Sequence, residues 1–344
     1  MGLLNRTTTA MTHYDIQQRR RKAIVEEGRE HQQFIVRKKD VELQKTARGV
    51  RTGVYMGKDG DRPTRIIDAL VHEVDPGVVS TIHRHAWDAV MLIVEGHGWT
   101  EVNGVRYEYR PWDTVYLPAW SWHRQGNDGN KTARFMTFST EPTMEVVGGA
   151  LIEDAGQTPF AQLSETASSA GPRGDDPYAR RLRRLEDYWK ENRQGRIHVR
   201  YEDLTLLVNP KGTRSTFMLD AFLGHKTSGL TLAMNQMAPG KWQKKHRHGG
   251  EAWLYALEGR GHSVIDGNRY DWEEGDLVVV DHWAWHQHHN SDPDLTARLI
   301  RVHNFAGIYD AMRVLLDPMT LEEEEANSEP DVSTVIWPPD RRPD

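Results

Sequence analysis

The chain has 344 residues, enough for about two domains of ordinary size, and carries a net charge of -6 with 38% hydrophobic residues. That balance argues against nucleic acid as a partner, and the longest apolar runs, such as Ala89–Val94, are too short to span a bilayer. There is no cysteine, so disulfides, thiolate nucleophiles and sulfur-ligated metal sites are excluded, while 17 histidines leave nitrogen ligation open.

In chain order, the first residues, Met1 to His13, lack the apolar core of a signal peptide, which with the absence of a membrane span favours the cytoplasm. Residues 12–47 are polar and charged and predict a helix followed by an extended arm. From Pro76 the sequence begins to repeat. Pro76–Asn127 aligns without a gap to Pro239–Asn290 at an offset of 163. His83-Arg84-His85 recurs as His246-Arg247-His248, Gly96 as Gly259, Asp113 as Asp276, and Trp120, Trp122, His123 and Asn127 as Trp283, Trp285, His286 and Asn290. Within each copy, Val90–Glu95 and Trp253–Glu258 read as strands. Asn103-Gly104 and Asp266-Gly267 are hairpin signals, and Thr114–Leu117 and Leu277–Val280 are short buried strands. Helical periodicity is absent from both copies. The pattern predicts a duplicated antiparallel barrel or jelly roll.

The expected organisation is an arm at 1–50, a first barrel at 51–160, a linker with a helix at 161–197, a second barrel at 198–318 and a tail at 319–344. The linker is rich in small residues at 164–177 and amphipathic at 178–194. The tail is acidic and then proline-rich, and is expected to be poorly ordered.

The histidines carry the chemistry. In each copy two lie at i and i+2 and a third follows 38 residues after the second. The pair shares one face of a strand, and an antiparallel return brings the third beside it. Three neutral imidazoles hold a metal ion with positions left for substrate or dioxygen. The candidate ligands are His83, His85 and His123, and again His246, His248 and His286. Glu251 is placed to complete a three-histidine, one-carboxylate set. Its counterpart Asp88 is a shorter ligand or an acceptor that orients an imidazole.

These residues resemble the cupin superfamily. Its first motif appears as Gly77, His83, His85, Asp88 and Gly96, and as Gly240, His246, His248, Glu251 and Gly259. The second appears as Pro118, His123 and Asn127 with Trp112 in the glycine's place, and as Gly275, His286 and Asn290 with Asp281 in the proline's place. The resemblance implies an all-β chain of two cupin (double-stranded β-helix, jelly-roll) barrels. The phrases at 83–98 and 117–127 are similar to the gentisate 1,2-dioxygenase group, which includes salicylate and 1-hydroxy-2-naphthoate dioxygenases. That likeness implies a ring-cleaving dioxygenase of extradiol type, with Fe(II) on His83, His85 and His123. It acts on a small aromatic acid and O2, opens the ring between the carboxyl- and hydroxyl-bearing carbons, and forms a homo-oligomer, a tetramer. Two departures stand out: Met91 replaces an arginine of the group and Gln125 replaces a histidine, whereas the second copy has His288. These changes favour a salicylate without a 5-hydroxyl, halogenated or nitrated. Gln125 is the candidate for a hydrogen bond to substrate or oxygen, Arg65 for the substrate carboxylate, and Trp87, Trp120, Trp122 and Met91 for the walls. Rival readings are another metal-dependent cupin enzyme, an isomerase or a diketone-cleaving dioxygenase, supported by the intact second set, and a non-enzymatic ligand-binding bicupin.

Overall fold

The computed structural model describes residues 11–30, 33–57, 64, 66–163, 174–193, 195–227, 229–303, 322–323 and 330–343. Residues 1–33 form one unit. Within it a helix runs from His13 to Glu30, and Thr12 and Asp15 cap its start by exchanging hydrogen bonds.

In residues 34–344, each copy of the repeat folds into a seven-stranded and a five-stranded antiparallel sheet. The central strand of the first copy, Ala89–Glu95, pairs with Thr114–Leu117 on one side and Ala133–Ser139 on the other. In the second copy, Ala252–Glu258 sits between Leu277–Val280 and Ala297–His303. Both strands are continuous apolar runs because both of their faces are buried. Ala89, Met91 and Ile93 belong to the core inside the first barrel. Val90 and Leu92 turn the other way and join Trp253, Tyr255, Ile300 and Val302 in one shared core between the barrels. Ala252, Leu254 and Ala256 point into the second barrel.

The predicted hairpins form. Asn103-Gly104 and Asp266-Gly267 both take positive φ, as a two-residue turn of this kind requires. Gly96 and Gly259 also have positive φ, and a Cβ there would meet the carbonyls of Thr132 and Thr296 at 2.5 and 3.0 Å. Trp112, in the motif glycine's place, keeps the left-handed backbone of Gly275 at φ 70°. Its ring is fully buried, with the Arg298 guanidinium 4.7 Å above it and Tyr201 against its edge.

The duplication reaches further than 76–127. Ile35–Val36 and His198–Val199, Gln44–Lys45 and Leu207–Val208, and Arg51–Met56 and Arg214–Leu219 are paired strands at the same offset of 163. The copies also exchange their leading strands. Ile35–Val36 pairs with Leu277–Val280, and His198–Val199 pairs with Thr114–Leu117. The recurring aspartates fasten this exchange. Asp276 accepts from the Lys38 backbone and from Arg37, and Asp113 accepts from the Tyr201 backbone. His198–Val199, which the expected boundary gives to the second barrel, therefore lies in the first barrel's sheet.

The helix expected in the linker runs from Pro177 to Arg193. The tail is not wholly without structure. Glu322–Glu323 pairs with His246–Arg247 at a sheet edge, Arg214 stacks on Trp337 at 4.3 Å, and Asp340 pairs with the buried Arg298. Acidity and proline content disfavour a core but do not prevent a segment from docking where buried arginines need partners.

Candidate metal centres

His83–His85 is a short strand whose alternation turns both histidines inward and Arg84 outward. The strand His123–Gly126 pairs with it so that His123 stands opposite His83. His246 stands opposite His286 in the same way. One nitrogen from each of His83, His85 and His123 lies within 4.8 Å of the others, and the same holds for His246, His248 and His286. Ring centroids are 4.1, 4.8 and 5.6 Å apart in the first group and 4.2, 4.9 and 5.7 Å in the second. All six rings are buried. Burial holds each pKa below the usual histidine value, to about 4 for His85 and for His248. The rings are therefore neutral at pH 7 and carry the lone pairs a metal needs.

The rings are oriented alike in the two groups, with interplanar angles of 54°, 62° and 75° in the first and 50°, 58° and 75° in the second, but their hydrogen-bond partners differ. In the second, Nδ1 of His246, His248 and His286 faces the carbonyls of Lys244, Gly249 and Ala284 at 2.8, 3.2 and 2.9 Å. Donating there fixes the proton on Nδ1 and leaves Nε2 as ligand on all three. In the first, His85 and His123 do the same toward Trp87 and Ser121. His83 instead has the Arg48 guanidinium 2.6 Å from Nδ1. An arginine can only donate, so Nδ1 accepts. Ligation through either nitrogen of His83 is incompatible with that bond, so Arg48 and a metal ion compete for this imidazole.

Neither carboxylate joins the histidines. Asp88 accepts hydroxyls from Thr140, Thr227 and Tyr116, at 2.7, 2.9 and 3.3 Å, and lies outside the first histidine group. Glu251 is outside the second group, and burial pushes its pKa up to about 7. The expected three-histidine, one-glutamate set does not form.

Among the expected wall residues, Trp87 stacks on His85 at 4.4 Å with the planes 8° apart. Met91 lies in the barrel core, and its sulfur receives Thr100 at 3.3 Å and the Gln125 amide at 4.0 Å. Gln125 follows His123 by two residues and so shares its inward face. Trp120 and Trp122 do not wall the chamber. They sandwich Arg84 at 4.5 Å each on the opposite face of the histidine strand, and Trp283 and Trp285 hold Arg247 likewise. The turn before the strand sends them there: Trp120, like Trp283, has a left-handed backbone, at φ 59° and 64°, and Trp122 directly precedes the strand His123–Gly126. Arg65 lies outside the described residues.

The Cupin domain family model matches residues 70–139 and 234–303, one match in each copy. The chain is a bicupin. It is gentisate dioxygenase-like in its relatives. It is 24% identical over 238 residues to a 1-hydroxy-2-naphthoate 1,2-dioxygenase of Nocardioides sp., covering 65% of this chain and 59% of that protein. It is 25% identical over 238 residues to a 5-aminosalicylate 1,2-dioxygenase of Comamonas sp., covering 64% and 61%. The matches thus span about three fifths of the length of these relatives. A salicylate 1,2-dioxygenase structure from Pseudoaminobacter salicylatoxidans shares the bicupin fold at TM-score 0.60 and 16% identity, over 92% of this chain and 96% of that one.

Sequence reasoning missed the bicupin's half-buried cations. Arg48 precedes the aligned repeat, but the offset of 163 takes it to Lys211, beside Gly49 and Gly212. Continuing the alignment upstream would have found both. Arg301 gave no motif signal. It becomes visible only once strand phase is known.

Proposed function

We propose that this bicupin is an Fe(II)-dependent dioxygenase that opens the ring of a hydroxylated aromatic carboxylate (gentisate, salicylate or a 5-substituted salicylate) between the carboxyl- and hydroxyl-bearing carbons. The observation that carries the reading is the convergence of three buried, neutral histidine nitrogens in a barrel whose relatives are named for this chemistry. Nitrogen donors of this kind suit Fe(II). The residues that would hold it are His83, His85 and His123. When bound, a redox-active metal supplies the electron exchange that lets an aromatic acid react with dioxygen.

The chain's own residues do the rest. The carbonyls of Trp87 and Ser121 orient His85 and His123. Arg48, half-buried, has its Nε without a hydrogen-bond partner among the described residues, and burial lowers its pKa to about 10. Such a cation is stabilised by an anion, and the substrate carboxylate is the partner that draws Arg48 off His83. Gln125 accepts from Ser80 at 3.3 Å through Oε1, and among the described residues its amide N–H group meets only the Met91 sulfur, at 4.0 Å, so it is available to a substrate or oxygen atom. Trp87 and Met91 give an apolar wall without an added charge, which fits a ring lacking a 5-hydroxyl. Trp122 is withdrawn from this role.

The test is oxygen uptake with gentisate, salicylate and 5-substituted salicylates after anaerobic loading with Fe(II). Uptake matched one to one by ring-opened product is expected. Silence with every one of these acids would refute the ring-cleavage reading.

A further inference from the structure

Strand register sets the direction in which His85 leaves its strand, and the bend at residues 86–88 sets what the ring then meets. The Trp87 carbonyl lies 2.6 Å from His85 Nδ1, and the Trp87 indole stacks on the same ring. Asp88 closes the bend. Its carbonyl accepts from the Thr140 backbone at 3.1 Å, and its carboxylate is buried among hydroxyls. Thr140, from the first copy, donates to Oδ1 at 2.7 Å. Thr227, from the second copy, donates to Oδ2 at 2.9 Å. The Tyr116 hydroxyl lies 3.3 Å from Oδ2 and 3.2 Å from the carbonyl of Lys226, and His225 meets the Tyr116 ring edge-on.

Residues 225–227 of the second copy thus converge on the bend that carries the first centre's wall. Thr227 is itself held in place, since the Leu230 backbone N–H donates to its hydroxyl at 2.9 Å. A hydroxyl has one proton. The Leu230 carbonyl lies as near as Asp88, at 2.9 Å, but a carboxylate is the stronger acceptor, so the proton goes to Asp88.

The reverse contact does not form among the described residues. The offset of 163 takes Thr227 to Thr64, Asp88 to Glu251 and Tyr116 to Val279, which has no hydroxyl. Thr64 receives the Ile66 N–H at 3.5 Å, and no bond joins it to Glu251. The duplication keeps its strand register but is one-sided here. The second copy reaches the bend of the first centre, and the first copy does not reach the bend of the second.

We propose that Thr227 is a positioning residue of the first centre, through which the second copy holds Asp88 and, with it, the Trp87 carbonyl and indole against His85. Without that hydroxyl a buried carboxylate is short of a donor, and the bend relaxes to find another. The proposal rests on His83, His85 and His123 being metal ligands and not on ring cleavage.

The test uses the full chain carrying His246→Ala and His286→Ala, so that Co(II) reports the first centre alone. The visible spectrum of bound Co(II) reads ligand geometry, and titration against a competing chelator reads affinity. Thr227→Val keeps the shape and removes the hydroxyl. It should change the spectrum and weaken Co(II) binding roughly tenfold, the low end of what losing a ligand-orienting contact costs. Thr227→Ser should restore both. In a chain carrying His83→Ala and His123→Ala instead, Thr64→Val should leave the second centre's spectrum and affinity unchanged. The proposal is overturned if Thr227→Val leaves the first centre unchanged, if Thr227→Ser fails to restore it, or if Thr64→Val disturbs the second centre to the same degree. Should Thr227→Val fail to fold, Tyr116→Phe removes the other distant hydroxyl from Asp88 Oδ2 and is read in the same way: a changed spectrum supports the proposal and an unchanged one overturns it. A parent chain that takes up no Co(II) would defeat the metal site itself, whereas Co(II) bound with no regard to Thr227 would defeat this proposal alone.

Discussion

The two barrels share strand register, hairpins, glycine positions and the spacing of their histidines, yet they surround those histidines with different charge. In the first, one arginine bonds to a ligand imidazole, and the interior polar groups Gln125, Thr137 and His72 are neutral. In the second, all three imidazoles are anchored on carbonyls, and Lys211, Arg301, His288 and His303 enclose them. A scaffold that fixes ligand geometry through backbone register leaves the neighbouring positions free to change, because those neighbours do not set where the histidines point. Duplication has thus kept the metal cage twice and diversified what stands beside it.

The largest effect expected from this contrast is on turnover. His83→Ala should reduce oxygen uptake by more than the roughly 10–100-fold that losing a residue which merely orients a ligand costs. His246→Ala should remove one metal per chain and leave uptake within a few fold. Equal losses from both variants, read by oxygen electrode and metal analysis, would erase the functional distinction between the barrels.

Next comes the cation each arm supplies. Arg48→Met should raise KM for salicylates about 10- to 100-fold, the equivalent of one charge-assisted hydrogen bond. Lys211→Met should leave that KM unchanged. A KM effect from Lys211 in place of Arg48 would move the ring-cleaving site to the second barrel.

The exchanged arms should behave alike. Asp113→Ala and Asp276→Ala each strand backbone N–H groups of the other copy's arm, and each should destabilise by about 1–3 kcal/mol in urea unfolding. A large cost for one and none for the other would show that the arms do not contribute equally.

A smaller asymmetry lies in acid sensitivity. Burial pushes Asp68 of the first barrel up to about 8, whereas its counterpart in the second is Thr231. The folded state keeps Asp68 protonated while the unfolded chain ionises near the ordinary value, so this residue's contribution is complete at low pH and is lost as pH rises toward 8. Asp68→Asn, which retains the acceptor for the Ser139 backbone N–H, should flatten the stability–pH slope over that range by up to about 1.4 kcal/mol per pH unit. An unchanged slope in denaturant titrations at several pH values would show that Asp68 ionises normally.

Much of this was legible from residues alone. Two histidines at i and i+2 must share a strand face, Asn-Gly and Asp-Gly must turn, and a run such as Ala89–Val94 must be buried on both sides; each follows from backbone period and local sterics. The duplicated spacing likewise announced two cages. Tertiary structure alone decided the rest. Whether Asp88 reaches a metal depended on Thr140, Tyr116 and Thr227, hydroxyls distant in sequence that claim its carboxylate first. The roles of Trp120 and Trp122 depended on Arg84, placed behind the histidines by strand alternation. Arg48 and Arg301 carry no motif, and only the fold brings the one to His83 and turns the other into the second barrel. Local pattern fixes which way a side chain leaves its own strand, but its partners come from strands many residues away, and pairing register is a property of the whole sheet.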